Sequence, residues 1–195
     1  MNKLDEIISF KKRSLSNIIG PIKAQELEKI ASLNKSKPSL YDILSRNDKL
    51  SVIAEIKRKS PSSGIISEGI NASDQAIKYV NANADALSVL TDLKYFGGSL
   101  KDLWEVTDLI KQHQKEIPCL RKDFMVHPIQ VLEAAEAGAK CILIIVSALN
   151  HDEISYLKEA AYYAQLDIIY EIHDLNELEI ALQHQPDIIG VNNRD

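Results

Sequence analysis

From residue 51 to the end of the chain, short apolar runs and amphipathic stretches alternate without a break. The runs are Val52–Ile56, Ala86–Leu90, Pro118–Lys122, Cys141–Val146, Leu166–Ile172 and Asp187–Asn192. Their length and apolar content predict strands. Helical spacing fills the gaps, near Ala72–Ala82, Leu100–His113, His127–Ala137, Asp152–Ala164 and Asn176–Gln183. Parallel neighbours cannot be joined by a tight hairpin, so a strict strand–helix repeat predicts a parallel sheet with helical crossovers. A membrane helix is excluded, because no apolar run approaches the ~20 residues required.

Two architectures satisfy that repeat, an open doubly wound sheet and a closed eight-stranded barrel. Polar residues recur at the strand ends: Glu55, Lys57, Lys122, Glu171, Asn192 and Arg194. A barrel gathers such ends at one mouth, where barrel active sites lie. No Gly-rich phosphate fingerprint follows the first strand, which weighs against dinucleotide binding. The strands recur about every 27 residues, within the barrel range, and two further units would need roughly 50 more residues. The expectation is an α/β (β/α)8 barrel with six strands present. Residues 1–48 show only helical spacing, at Leu4–Phe10, Ile22–Leu33 after Pro21, and Ser39–Leu44 after Pro38. The predicted division is a helical extension over 1–48 and a partial barrel over 49–195.

The net charge of −5 argues against general nucleic-acid binding. The N-terminus is charged and periodic, unlike a secretory signal. Cys119 and Cys141 sit in apolar runs without metal-ligand spacing and read as buried thiols of a reducing cytoplasm. His113, His127, His151 and His184 fall on helix ends or faces, and none is paired at metal-ligand spacing.

Glu55 and Lys57 stand two apart and so share one face of a strand. The reading is either an inward functional pair or an ion pair on the outer rim. The following Arg58–Gly64 loop is basic and Ser-rich, suited to a carboxylate or phosphate, or simply solvated. Lys122 shares parity with Leu120 and Phe124, while Arg121 and Asp123 face the other way. Lys122 is therefore a general acid or anion contact, or else the partner of Asp123. Glu171 lies among apolar residues, where burial and a facing lysine together tune a carboxylate. His173 reads as a solvated or helix-capping residue. Asn192 and Arg194 share parity and suit hydroxyl and carboxylate groups.

These segments resemble the indole-3-glycerol-phosphate synthase family. The likeness is carried by Ile53-Ala-Glu-Ile-Lys-Arg-Lys-Ser-Pro-Ser62, Leu87-Ser-Val-Leu-Thr-Asp92 and Lys94-Tyr-Phe-Gly-Gly-Ser99. It continues through Leu120-Arg-Lys-Asp-Phe124, Glu133–Ala139, Ile142–Val146 and Ile188-Ile-Gly-Val-Asn-Asn-Arg-Asp195. The resemblance implies a TIM barrel with an N-terminal helical segment and a lyase of tryptophan biosynthesis. Such an enzyme closes, decarboxylates and dehydrates 1-(2-carboxyphenylamino)-1-deoxyribulose 5-phosphate to indole-3-glycerol phosphate. It implies no metal and no organic cofactor. By motif, Lys122 is the general acid, Glu171 the general base, Lys57 the holder of the substrate carboxylate and Glu55 the group that orients the lysines. Ser60, Asn192 and Arg194 are implied substrate contacts, and Phe96, Phe124 and Leu143 are implied to pack on the aromatic ring. The family's seventh and eighth strands, with their phosphate loop, have no counterpart here. The chain is thus expected to leave two sheet edges unpaired and to self-associate through them. Two other readings stand beside this one, a non-catalytic fragment assembling through those edges and a barrel related to phosphoribosylanthranilate isomerase.

Overall fold

A computed structural model describes residues 3–16, 20, 22–33, 38–46, 49–61, 64–66 and 69–193. Three helices come first, α1 (Lys3–Leu15), α2 (Ala24–Leu33) and α3 (Leu40–Leu44). Strand β1 (Ile53–Ile56) follows, then a hairpin of β2 (Lys59–Ser60) and β3 (Gly64–Ile65) inside the segment expected to be loop. The alternation then runs α4 (Ala72–Asn81), β4 (Ala86–Leu90), a short α5 (Leu93–Phe96), α6 (Leu100–Gln112), β5 (Cys119–Lys122) and α7 (Pro128–Glu136). It ends with β6 (Cys141–Ile145), a 3-10 turn at Val146–Ala148, α8 (His151–Ala164), β7 (Asp167–Ile172), α9 (Leu175–Gln183) and β8 (Ile188–Val191). All six long strands join one parallel sheet in the order β1-β4-β5-β6-β7-β8. The expected partial barrel is what forms.

Local chemistry sets the helix starts. Asn71, Ser99, His127, Asn150 and Asp174 each accept a backbone N–H of the helix they precede. Such caps satisfy donors that have no partner within the helix. The His127 ring does this with Nδ1, 3.1 Å from the Ile129 amide. Gly98 is required by closeness, since a Cβ there would lie 1.9 Å from the Leu90 carbonyl oxygen. The turn out of β4 can therefore fold tightly back onto the strand.

Strand alternation sorts side chains to two sides of the curved sheet. Leu87, Val89, Ile142, Ile144 and Tyr170 face outward, against Leu103, Val106, Val131, Ile154 and Leu157 of the surrounding helices. Ala86, Leu120, Cys141, Leu143 and Ile169 face inward. The N-terminal helices wrap this frame at three places. Leu27 of α2 joins the outer core. Leu40 of α3 plugs the floor of the inner cluster. Ile7 and Ile8 of α1 pack with Tyr95 and Phe124 at the opposite end. Both cysteines are buried free thiols, as expected, and burial pushes the Cys119 thiol up to about 12. Among the described residues, no helix is long and apolar enough to cross a membrane.

Candidate active site

The outward anchoring of one residue dictates the inward aim of the next. Ile56 is held in the outer core, so Glu55 points inward. Cys119 lies in the outer core and Leu120 in the inner one, so Lys122 points inward. Tyr170 and Ile172 face the helices, which turns Glu171 the other way. These ends line a cavity of about 1070 Å³ together with Lys57, Ser60, Phe96, Phe124, Leu143 and Asn192. Every implied site residue is brought there except Arg194, which lies outside the described residues.

Their polar atoms form a continuous chain. Lys57 Nζ stands 2.6 Å from Glu55 Oε1. Lys122 Nζ stands 3.8 Å from Glu55 Oε2 and 3.4 Å from Glu171 Oε2. Asn192 Nδ2 donates to Glu171 Oε1 at 2.9 Å. The chain therefore crosses from β1 to the end of β8, with Lys122 at its middle. Two ammonium groups and two carboxylates balance within it, so an incoming carboxylate must compete with Glu55 for Lys57. Glu171 is the most enclosed of the four, with a side chain 12% exposed. One wall is aromatic, with the Phe96 and Phe124 rings 5.8 Å apart.

The structure settles several open alternatives. Glu55 and Lys57 form an inward pair, not an outer-rim one. Lys122 pairs with the two glutamates, whereas Arg121 pairs with Asp123 at 3.1 Å. Arg58, at the start of that loop, is engaged within the protein. Its guanidinium holds both oxygens of Asp102, at 2.8 and 2.6 Å, and the carbonyls of Gly97 and Ile70. Ser62 and Ser63 of that loop lie outside the described residues. Asp174 caps α9, and the neighbouring His173 is exposed, its own amide and its Nδ1 both meeting the Glu177 carboxylate. Its ring also lines the cavity, with Nε2 3.9 Å from Glu171 Oε1.

Some contributors had not been singled out. Lys3, Leu4 and Ile7 bring α1 to the cavity wall. Lys11 anchors that helix, its ammonium 2.9 Å from Asp92 and 2.7 Å from Asp123. Burial works to raise the Asp123 carboxyl, but Arg121 and Lys11 outweigh it and hold the group below the usual carboxylate range. Inward parity on β4 marks Ser88, which also lines the cavity. No local signal in α1 reveals where it docks.

Comparison with known proteins identifies the family. The profile of the family described as Indole-3-glycerol phosphate synthase matches residues 4–195. The chain is 51% identical over 195 residues to the indole-3-glycerol phosphate synthase of Opitutus terrae, covering all of this chain and 73% of that protein. It is 40% identical to that of Staphylococcus haemolyticus, covering all of this chain and 72% of that protein. Among solved structures, tryptophan synthase subunit alpha from Legionella pneumophila superposes with a TM-score of 0.55 at 14% identity. That match covers 86% of this chain and 67% of the other, a likeness of fold. The chain belongs to the indole-3-glycerol phosphate synthase family, carboxy-lyases of tryptophan biosynthesis that act on a phosphorylated small molecule.

Proposed function

We propose that the chain of contacts from Lys57 to Asn192 carries the family's chemistry on 1-(2-carboxyphenylamino)-1-deoxyribulose 5-phosphate. Lys122 donates a proton to the substrate carbonyl oxygen as the carboxyl-bearing ring carbon attacks the carbonyl carbon. Carbon dioxide then leaves and the ring regains aromaticity. Lys57 holds the departing carboxylate and shares the acid role in the loss of water, while Glu171 takes the proton that this step releases. Glu55 orients the two lysines. Ser60, Asn192 and Arg194 place substrate groups, and Phe96, Phe124 and Leu143 pack on the aromatic ring.

The observation that carries this reading is the central place of Lys122, within 3.4 Å of Glu171 and 3.8 Å of Glu55. An acid and a base in one enclosure permit both proton transfers, and fixed ammonium groups stabilise charge where it develops. The test is a fluorescence assay for indole-3-glycerol phosphate with the 195-residue chain. Lys122→Ala should lower kcat about 10²- to 10⁴-fold. Wild-type turnover in that variant sinks the assignment.

The reading extends to organisation. Residues 1–48 act as a helical extension of the catalytic unit formed by 49–195, and the enzyme works in the cytoplasm. Strands β1 and β8 have one neighbour each among the described residues, which favours self-association through these edges. A mass in solution that stays monomeric at every concentration refutes that part.

A further inference from the structure

The cavity contains a polar group to which the roles above assign no task. Ser88 lies mid-strand in β4, with inward parity between Ala86 and Leu90. It is 4% exposed and lines the cavity. Its Oγ is buried and has no hydrogen-bond partner among the described residues. Buried hydroxyls are nearly always bonded, so an idle one asks for a functional explanation.

Register identifies its neighbours. Ser88 lies opposite Glu55 on β1 and opposite Leu120 on β5. Adjacent strands are only about 4.8 Å apart, so side chains at paired positions on one face stand side by side. Leu120 offers no acceptor. Glu55 offers a carboxylate whose two oxygens meet Lys57 and Lys122. A serine hydroxyl rotates freely toward whichever acceptor becomes available.

We propose that Ser88 is a positioning residue for Glu55, donating its hydroxyl to the Glu55 carboxylate when a substrate carboxylate draws Lys57 away. Glu55 then stays ionised and keeps Lys122 charged and aimed. Ser88 touches no reacting atom in this scheme. The inference rests on the roles given above to Glu55 and Lys57.

The test compares Ser88→Ala, Ser88→Thr, Glu55→Gln and the Ser88→Ala/Glu55→Gln double variant, by kcat, KM and pH profile. A hydrogen bond to a charged group corresponds to a loss on the order of tenfold or more, so Ser88→Ala should lower kcat about tenfold. KM should change less than about twofold, and the acidic limb of the kcat profile should move to higher pH. The thermal midpoint should hold or rise, since the free protein loses no bond. Ser88→Thr should restore the rate, and Ser88→Ala should add nothing in the Glu55→Gln background.

An impaired Glu55→Gln beside an unaffected Ser88→Ala overturns this proposal alone. So does a tenfold loss that persists in the Glu55→Gln background. A Glu55→Gln variant with wild-type kcat overturns the role of Glu55 and this proposal with it. Carbon-13 titration of the Glu55 carboxyl with saturating anthranilate gives an independent readout without turnover. Its midpoint should rise in Ser88→Ala, and an unmoved midpoint overturns the proposal.

Discussion

Lys11→Met keeps the apolar stem of Lys11 and deletes the ammonium that joins Asp92 and Asp123. Charge-assisted bonds contribute about 1.5–3 kcal/mol each. Asp123 retains Arg121, Thr91 and the Phe124 amide, and Asp92 retains the Tyr95 amide. The expected loss is therefore below the full sum, about 2–4 kcal/mol. The docking of α1 also sets a ceiling. Its buried anchors Ile7 and Ile8 contribute about 1.5–3 kcal/mol each. Once α1 lets go, water reaches both carboxylates and nothing more is lost. The effect should thus be local release of α1 more than global unfolding. Amide exchange should quicken about 30- to 700-fold in α1, at ~1.4 kcal/mol per factor of ten. Urea unfolding of the barrel from the state with α1 already released should shift by less than about 1 kcal/mol. KM should rise, because Lys3, Leu4 and Ile7 line the cavity. Unchanged exchange in α1 would refute the reasoning.

Gly98→Ala forces a Cβ to within 1.9 Å of the Leu90 carbonyl oxygen, so the backbone must move. A cost of at least about 3 kcal/mol and a thermal midpoint lower by roughly 6–12 °C are expected, and a midpoint within 2 °C contradicts this. Asp123 is held below its unfolded value of about 3.9, so its stabilisation is complete well above that pH and fades as pH falls through the folded value. The stability gap between wild type and Asp123→Asn should therefore be widest above pH 5 and shrink below pH 4, as read by denaturant titration. Cys119 is raised to about 12 and Cys141 lies well above the ordinary thiol value, both chiefly by burial. Neither should react with a disulfide reagent at pH 8 until urea unfolds the chain. Rapid native labelling contradicts that burial.

The barrel was legible because its signal is periodic and local. Alternation over Ala86–Leu90 tells which residues face the helices, and the same parity places Lys122 and Glu171 inside. The hairpin at Lys59–Ser60 and Gly64–Ile65 was hidden, because two-residue strands have no period. The contact made by Arg58 was hidden for a related reason. The composition of its loop suits an anion or solvent, whereas Asp102 lies 44 residues away and meets the guanidinium through tertiary contact. The docking of α1 was equally invisible, since Lys11 meets carboxylates more than 80 residues distant. His173 shows that a residue tied to the first turn of a helix also faces a cavity when that helix starts at the mouth. Nothing in the β7 run distinguishes those two duties.

The contact chain has a mechanical consequence. It spans the curved sheet as a chord spans an arc, from β1 to the residue just after β8, while the intervening strands set the curvature. Flattening the arc lengthens the chord, and the slack falls on its longest links, the two at Lys122. Sheet curvature is thereby a control on how firmly Lys122 is shared between its glutamates. A strain on the outermost strands, far from Lys122, reaches the proton it carries.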